Sequence, residues 1–428
     1  MSAGVAPRIA AARVLAAVAG RGRSLKAELG RELPALQDPR DRALVEAIVF
    51  AALREHARFD GVLAHWMTRP PGPRDGQLRA LLHAGLAQLV LELPAHAAVD
   101  ATVAAARALG RPHQAGLVNA LLRRALREGL PPADPAAAWP EWLLATLRRD
   151  WPGHVDAILA ASSAPAPMWL RANRRVAGRD AALAALREAG IGAQASDIAP
   201  DAIRLDMPLP VEALPGFAEG ALSVQDASAQ LLADALDPAP GTRVLDACAA
   251  PGGKSAHLAE RDPRLRIVAL DADARRVRRM RDTFARLRLD IASLTADATR
   301  PDAWWDREPF DAILIDAPCS ATGIVRRQPD ILLHRREADI EALLALQARL
   351  LDALWPTLRP GGRLVYATCS ILRAENDAQV AAFLARTPDA GIEPLDGRFG
   401  MDTGHGHQRL PGDAGMDGFF HARLRKAG

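Results

Sequence analysis

Two of the three cysteines lie at the ends of segments that the sequence predicts as neighbouring strands. The segments FDAILIDAPCS (310–320) and RLVYATCS (363–370) carry Cys319 and Cys369, and the third cysteine is Cys248. In a doubly wound parallel sheet, the carboxyl ends of the strands meet at one edge, and adjacent strands lie about 4.8 Å apart. We therefore expect the thiols of Cys319 and Cys369 to reach one substrate atom.

Two converging thiols suit chemistry at C5 of a pyrimidine. C5 of cytosine becomes nucleophilic only after a thiolate adds to C6, and it can then attack a sulfonium methyl group. One cysteine would add to C6 and the other would assist release, and spacing alone does not decide which. Asp316 is placed to hydrogen-bond the cytosine edge, and Lys254 could lower a thiol pKa or hold the base. Either cysteine taken alone could instead be a small buried hydrophobe.

A cofactor site is predicted at RVLDACAAPGGKSAHLAE (243–260), which has the pattern strand, glycine turn, helix. Gly252 and Gly253 would let the backbone approach a ligand closely. The segment lacks both the phosphate-binding GxxxxGK[ST] pattern and the three-glycine dinucleotide pattern. Asp271 and Asp297 end the next two predicted strands, where they suit ribose hydroxyls and an adenine amino group. An adenosine bearing a sulfonium and a carboxylate therefore fits better than NAD or ATP.

The hydrophobic periodicity divides the chain into three parts. Residues 1–135 are helical, and residues 136–215 contain a Pro-rich linker and a small α+β unit. In residues 216–428, apolar strands alternate with helices, which predicts an α/β Rossmann-like domain with a mostly parallel sheet. We expect the last strand, FFHARLR, to run antiparallel and close one edge of that sheet.

Composition narrows the class of protein. The chain has 428 residues, 49% hydrophobic and 25% charged, which is ordinary for a globular protein. No apolar run of about 18 residues is present, so we expect no membrane span, and three scattered cysteines form neither a disulfide framework nor a zinc motif. The N-terminal segment is typical of an amphipathic helix, not a secretion signal. We expect a cytoplasmic protein with no metal site, since His405 and His407 lack a third ligand.

Positive charge is concentrated at the front of the chain. Residues 1–140 hold 18 arginines and lysines against 12 acidic residues. Such an excess favours a polyanion such as RNA, although ordinary scatter is the alternative. Arg123, Arg124 and Arg127, at the end of the helical part, are the candidates for phosphate contacts.

Several motifs resemble a known family. The resemblance lies in VQDASAQ (224–230), DACAAPGGK (246–254), DAPCSATGIVRRQPD (316–330), LRPGGRLVYATCSI (358–371) followed by EN, and DGFFHARL (417–424). These segments are similar to the Sun family of RNA cytosine-C5 methyltransferases. The helical front resembles a NusB-type RNA-binding domain, and the middle unit is expected to be RRM-like.

The resemblance implies roles that spacing left open. Cys369 matches the family's nucleophile, and Cys319 matches the cysteine that aids release. The domain order is similar to that of bacterial enzymes acting on 16S rRNA, which implies a cytosine in 16S rRNA as the substrate of a monomeric enzyme. The positions that match contacts to S-adenosyl-L-methionine are Cys248, Ala249, Ala250, Pro251, Gly252, Gly253, Lys254, Asp271, Asp297 and Asp316.

Three alternatives remain at the level of sequence. The same chemistry could act on tRNA or another rRNA site. The chain could be a non-catalytic RNA-binding or antitermination factor that carries a degenerate methyltransferase domain. A NAD-dependent enzyme is disfavoured by the missing pyrophosphate turn.

Overall fold

The computed structural model describes residues 4–428. The chain forms two compact units: one contains the residues up to 148 together with 325–335, and the other contains 149–324 together with 336–428. Among the described helices, none combines the length and apolar character that crossing a membrane requires.

The first unit is built from helices, as the periodicity predicts. They are α1 (Val5–Arg21), α2 (Leu25–Glu32), α3 (Pro39–Arg54), α4 (His56–Trp66), α5 (Gly76–Val90), α6 (Ala95–Ala108) and α7 (Ala115–Glu128).

Local sequence explains where these helices begin and how closely they pack. Asp38 caps α3 by accepting a hydrogen bond from the Arg40 backbone N–H, and Pro39 occupies the first helical position. Gly85 allows α5 to approach α7, because a Cβ at this position would lie 2.8 Å from a methyl group of Leu122. The apolar stripes that predicted the helices therefore form one shared core.

A small α+β part opens the second unit. Its helices are α8 (Glu141–Asp150), which begins in the first unit, α9 (Val155–Ser163) and α10 (Gly178–Glu188), and its strands are β1 (Trp169–Ala172), β2 (Ala193–Ala195), β3 (Ala202–Leu205) and β4 (Leu222–Val224). The strands form an antiparallel sheet in the order β2-β3-β1-β4. β4 was not predicted as part of this sheet, which extends beyond the predicted limit at residue 215. Its three residues are too few to show a period.

A second, larger sheet carries the remaining strands. These are β5 (Arg243–Asp246), β6 (Arg266–Asp271), β7 (Ala292–Thr295), β8 (Phe310–Asp316), β9 (Leu358–Thr368), β10 (Ala390–Ile392), β11 (Met401–Asp402), β12 (His407–Arg409) and β13 (Phe419–Lys426). The helices that follow the small sheet along the chain are α11 (Ala227–Gln230), α12 (Leu232–Leu236), α13 (Gly253–Arg261), α14 (Ala274–Leu287), α15 (Ile331–His334), α16 (Glu337–Leu354) and α17 (Asp377–Arg386).

The order of this sheet is β11-β12-β13-β9-β8-β5-β6-β7, with β10 also paired to β13. β5 to β9 are mutually parallel, and their order reverses between β5 and β8, where doubly wound sheets bind ligands. Successive residues of β8 alternate between two buried clusters, so both faces of the sheet are covered. This pattern explains the continuous apolar runs in the sequence.

The prediction for the last strand was half right. β13 runs antiparallel to β9, but β12 and β10 pair with it on its other side, so it does not close the edge. β10, β11 and β12 have only two or three residues each, and such short strands leave no readable alternation in the sequence.

One later stretch of the chain belongs to the helical unit. In residues 325–335, Leu333 packs against the core of that unit. The Asp330 carboxylate accepts a hydrogen bond from the Leu25 N–H at 3.0 Å, and Arg54 donates to the Arg326 carbonyl at 2.9 Å. No periodic signal in the sequence assigns this stretch to the helices.

Candidate active site

The two strand-end cysteines meet. β8 and β9 are adjacent and parallel, with Asp316 opposite Ala367 in the register. Cys319 and Cys369 follow these strands, both half-buried, and their sulfur atoms lie 3.5 Å apart. The parallel order expected from the sequence therefore brings the two thiols together.

The two sulfur atoms differ in their surroundings. The contact with Cys369, burial and the nearby Glu375 carboxylate raise the pKa of the Cys319 thiol well above its ordinary value. The Lys254 ammonium interacts electrostatically with the Cys369 sulfur. Cys319 therefore keeps its proton near neutral pH.

The predicted glycine turn joins β5 to α13 next to the end of β6. The Ala249 N–H donates to the Leu270 carbonyl at 2.9 Å, and the Gly252 N–H donates to the Ala249 carbonyl at 2.7 Å. Gly252 has φ 95°, and a Cβ there would lie 2.8 Å from side-chain atoms of α14. The sequence predicted that Gly252 lets the backbone approach a ligand. The structure gives another reason for a glycine here: the backbone conformation and the close packing against α14 leave no room for a side chain.

Gly253 begins α13, and a Cβ at this position would meet no atom closer than 3.8 Å. Ala249 and Ala250 are buried, whereas Pro251 is exposed. Burial and nearby carboxylates raise the pKa of the Cys248 thiol far above its ordinary value, which disfavours a thiolate at this position.

The predicted acids occupy the ends of successive strands. Asp271 ends β6, is only 4% exposed and accepts a hydrogen bond from the Asp273 N–H at 3.0 Å. Asp297 follows β7 and is exposed, and hydrogen bonds from the Thr299 hydroxyl and N–H lower the pKa of its carboxyl group. Both carboxylates therefore lie at the carboxyl edge of the sheet, and that of Asp271 accepts the Ala250 N–H of the glycine turn at 3.3 Å.

The remaining two predicted residues form an ion pair. The Lys254 ammonium lies 2.5 Å from the Asp316 carboxylate, which connects the glycine turn to the end of β8. Burial alone would lower the pKa of Lys254, but the charge of Asp316 raises it. Lys254 therefore carries a positive charge next to the thiol pair.

Two carboxyl groups near the site were missed by sequence reasoning. Asp246 is fully buried, accepts a hydrogen bond from the Ser255 hydroxyl at 2.6 Å, and has its pKa raised to about 6 by burial. Glu375 is also fully buried, among the loops that follow β8 and β9. Asp246 stands inside the quoted turn motif and Glu375 next to Asn376, but nothing local in the sequence indicates that either is buried.

Arg171 of the small sheet binds the helix that carries the glycine turn. Its guanidinium forms two hydrogen bonds of 2.8 Å with the Glu260 carboxylate and one of 2.6 Å with the Gly253 carbonyl. The side chains of Arg171 and Glu260 are each 1% exposed. The small sheet is therefore part of the support of the predicted cofactor turn.

Replacing Arg171 with methionine should strongly destabilise the second unit. The change leaves the Glu260 carboxylate buried without its cation, which costs about 3–5 kcal/mol of unfolding free energy. Urea unfolding of the single variant and of the R171M/E260M double variant measures this effect, and the double variant should recover most of the loss. If the unfolding free energy of the single variant falls by less than about 1 kcal/mol, the structural role given to the Arg171–Glu260 pair is wrong.

Arginines on the helical unit form a separate positively charged groove. A cavity of about 380 Å³ is lined by Arg13, Arg21, Arg31, Arg74 and Arg111. Carboxylates of the same unit pair with Arg13, Arg31 and Arg111. Within the described part of the unit, Arg21 and Arg74 form no ion pair, so the groove keeps an excess of positive charge.

The arginines singled out from the sequence at the end of α7 are bound to their own helix. Arg123 donates to Asn119, and both Arg124 and Arg127 donate to Glu128. The Glu128 carboxylate neutralises part of the charge of Arg124 and Arg127, whereas the uncharged Asn119 amide leaves that of Arg123 intact.

The order of the strands, the glycine turn after β5 and the acidic residues at the strand ends define a Rossmann-like methyltransferase domain. A ferredoxin-like domain and a NusB-type helical domain precede it in the chain. Residues 233–425 match the family described as 16S rRNA methyltransferase RsmB/F, residues 139–212 match the ferredoxin-like domain of RsmF/B-like methyltransferases, and residues 5–127 match the NusB family. The chain belongs to the RsmB/F family of RNA methyltransferases.

Similar proteins cover the whole chain. It is 59% identical to ribosomal RNA small subunit methyltransferase B of Xanthomonas campestris pv. campestris over 429 residues, which span 100% of this chain and 98% of the relative. Identity to the protein of the same name from Xylella fastidiosa (strain Temecula1) is 57%, over 100% of this chain and 99% of the relative. The crystal structure of PH0851 has the same fold, with a TM-score of 0.82 at 24% identity over 98% of this chain and 99% of that one.

Proposed function

We propose that this protein transfers a methyl group from S-adenosylmethionine to C5 of a cytosine in 16S rRNA through a covalent adduct with Cys369. The observation that carries the proposal is the 3.5 Å separation of the Cys319 and Cys369 sulfur atoms at the end of two adjacent parallel strands. The names of the relatives support an RNA of the small ribosomal subunit as the substrate.

The residues at the sheet edge fit S-adenosylmethionine. Asp271 and Asp297 offer acceptors for hydroxyl and amino groups, and the turn from Cys248 to Lys254 supplies backbone at a helix start instead of a phosphate-binding loop. Asp316 and Lys254 border the same turn. When bound, the cofactor supplies an electrophilic methyl group.

The difference between the two cysteines supports their assignment. Cys369 adds to C6 as a thiolate and makes C5 nucleophilic. The sulfur of Cys319 lies 3.5 Å from that of Cys369, and its high pKa keeps it protonated at this stage.

Release of the methylated base then requires one proton to leave C5 and the C6–S bond to break. Cys319 gives its proton to the departing Cys369 sulfur and takes the C5 proton in exchange. The electron pair of the C5–H bond forms the C5–C6 double bond, and that of the C6–S bond returns to sulfur. Both thiols are then protonated, and Cys369 must lose a proton before the next cycle.

The charge of the helical unit supports RNA as the partner. The groove lined by five arginines suits a phosphate backbone, which is recognised chiefly by such side chains. Because a target base must leave its stack to reach a half-buried thiol, a single-stranded or loop cytosine is the expected target.

The test is site mapping with labelled cofactor. The purified protein, given methyl-labelled S-adenosylmethionine, should place label at one cytosine C5 of 16S rRNA, and the same reaction run with tRNA should stay unlabelled. Free 16S rRNA and assembled small subunits, tested in parallel, identify which form is used. Label at a base other than cytosine, or on tRNA alone, would contradict the proposal.

A further inference from the structure

A buried polar cluster joins the two loops that carry the cysteines. Its centre is the Glu375 carboxylate, which is 0% exposed. One carboxylate oxygen accepts the Ser320 hydroxyl at 2.5 Å and the Ser370 hydroxyl at 2.5 Å. The other oxygen accepts the Ser320 N–H at 2.8 Å and the Gln347 amide at 3.1 Å.

The donors are placed directly beside the thiols. Ser320 follows Cys319 and Ser370 follows Cys369 in the sequence, so one carboxylate holds the residue next to each sulfur. The two serine hydroxyls also lie 3.0 Å from each other. Hydrogen bonds to a buried charged group are stronger than neutral ones and fix geometry more firmly.

Glu375 is itself held in place from several directions. Its backbone carbonyl accepts the Tyr366 hydroxyl at 2.7 Å. The Gln347 amide that contacts its carboxylate also donates to the Pro318 carbonyl at 2.9 Å, one residue before Cys319. The carboxylate is therefore a fixed point between β9, α16 and the loop after β8.

We propose that Glu375 is a positioning residue that sets the spacing of the Cys319 and Cys369 sulfur atoms for catalysis. The inference rests on the proposed two-thiol chemistry. Among the described residues, Glu375 forms no hydrogen bond to either sulfur; it positions them through Ser320 and Ser370, and its charge separately raises the pKa of the Cys319 thiol.

Glutamine is the informative replacement for Glu375. It has nearly the same shape, but its amide has one acceptor oxygen and an NH₂ group that can only donate. Its NH₂ group can face the Ser320 and Ser370 hydroxyls only if both turn from donating to accepting, so the two charge-assisted hydrogen bonds of 2.5 Å are lost. The loops would shift relative to each other, and a misplacement of about 1 Å costs on the order of 100-fold in rate.

Two readouts test the proposal. In single-turnover methyl transfer to 16S rRNA, E375Q should be slowed by ~10–100-fold with unchanged affinity for S-adenosylhomocysteine. In the absence of RNA, the diazene oxidant diamide should form the Cys319–Cys369 disulfide in the wild type, as each thiol gives one hydrogen to the N=N bond. Peptide mass spectrometry should show this disulfide forming ~10-fold more slowly in E375Q, because the sulfurs must close to about 2.05 Å.

The matched control is Glu393→Gln. Glu393 accepts two hydrogen bonds from Arg363 at the far end of the sheet domain and has no contact with the cysteine loops. This variant should behave as wild type in both assays. Should E375Q fail to fold, Ser320→Ala and Ser370→Ala each remove one link to Glu375 and should show the same two effects.

The outcomes separate this inference from the proposed function. Folded E375Q with wild-type disulfide formation would overturn the inference, and so would slower disulfide formation with unchanged methyl transfer. A wild-type protein that methylates no RNA would instead overturn the proposed function, and the disulfide rates would still show whether Glu375 sets the sulfur spacing.

Discussion

Replacing Cys369 with serine should abolish methyl transfer to RNA, with a loss of at least about 10³-fold. A serine hydroxyl is not ionised near neutral pH, so it cannot add to C6 as the thiolate does. The neighbouring Lys254–Asp316 ion pair does not compensate, because it cannot ionise an aliphatic hydroxyl near neutral pH. Transfer of label from S-adenosylmethionine under single-turnover conditions measures the effect.

Binding of S-adenosylhomocysteine provides the control for Cys369→Ser. Cys369 lies at the end of β9, whereas the predicted cofactor contacts lie on β5 to β8 and the turn after β5, so affinity should stay within about twofold. A serine variant that keeps more than a tenth of the wild-type rate would refute the assignment of the nucleophile.

The second large effect is expected from Cys319→Ala. Without the Cys319 thiol, the proton exchange that releases the product cannot occur, and the RNA should remain attached to the protein through sulfur. The alanine side chain leaves Cys369 free to add, so the adduct should form and persist. A denaturing gel should show a protein–RNA band that is absent, or at least tenfold weaker, with the wild type.

The double variant C319A/C369S is the control for that band. It removes the sulfur that forms the bond, so no denaturation-resistant complex should appear. Normal turnover of Cys319→Ala without a complex would eliminate the release role of Cys319.

Much of the fold and the position of the thiols could be predicted, because both depend on local patterns. Continuous apolar strands separated by helices predict a parallel sheet, and parallel strands bring Cys319 and Cys369 to the same edge. The two faces of β8, buried in separate clusters, show why the pattern was readable. The helical periodicity of residues 5–128 was equally informative.

The support of the site could not be predicted, because it depends on contacts between distant residues. Arg171 and Glu260 are separated by 89 residues, and Ser320 and Glu375 by 55. The sequence does not distinguish a buried arginine or glutamate from an exposed one, because no hydrophobic periodicity depends on these residues. The role of Gly252 in packing against α14 was hidden for the same reason, since the partner side chains are known only from the fold.

The most direct test is to identify the amino acid that carries the nucleotide in the complex formed by Cys319→Ala. After protease and nuclease digestion, mass spectrometry should find a methylated cytidine residue on the peptide that contains Cys369. A nucleotide on any other residue, or a complex whose cytosine lacks the methyl group despite saturating cofactor, would contradict a mechanism in which the two thiols act in turn on one base.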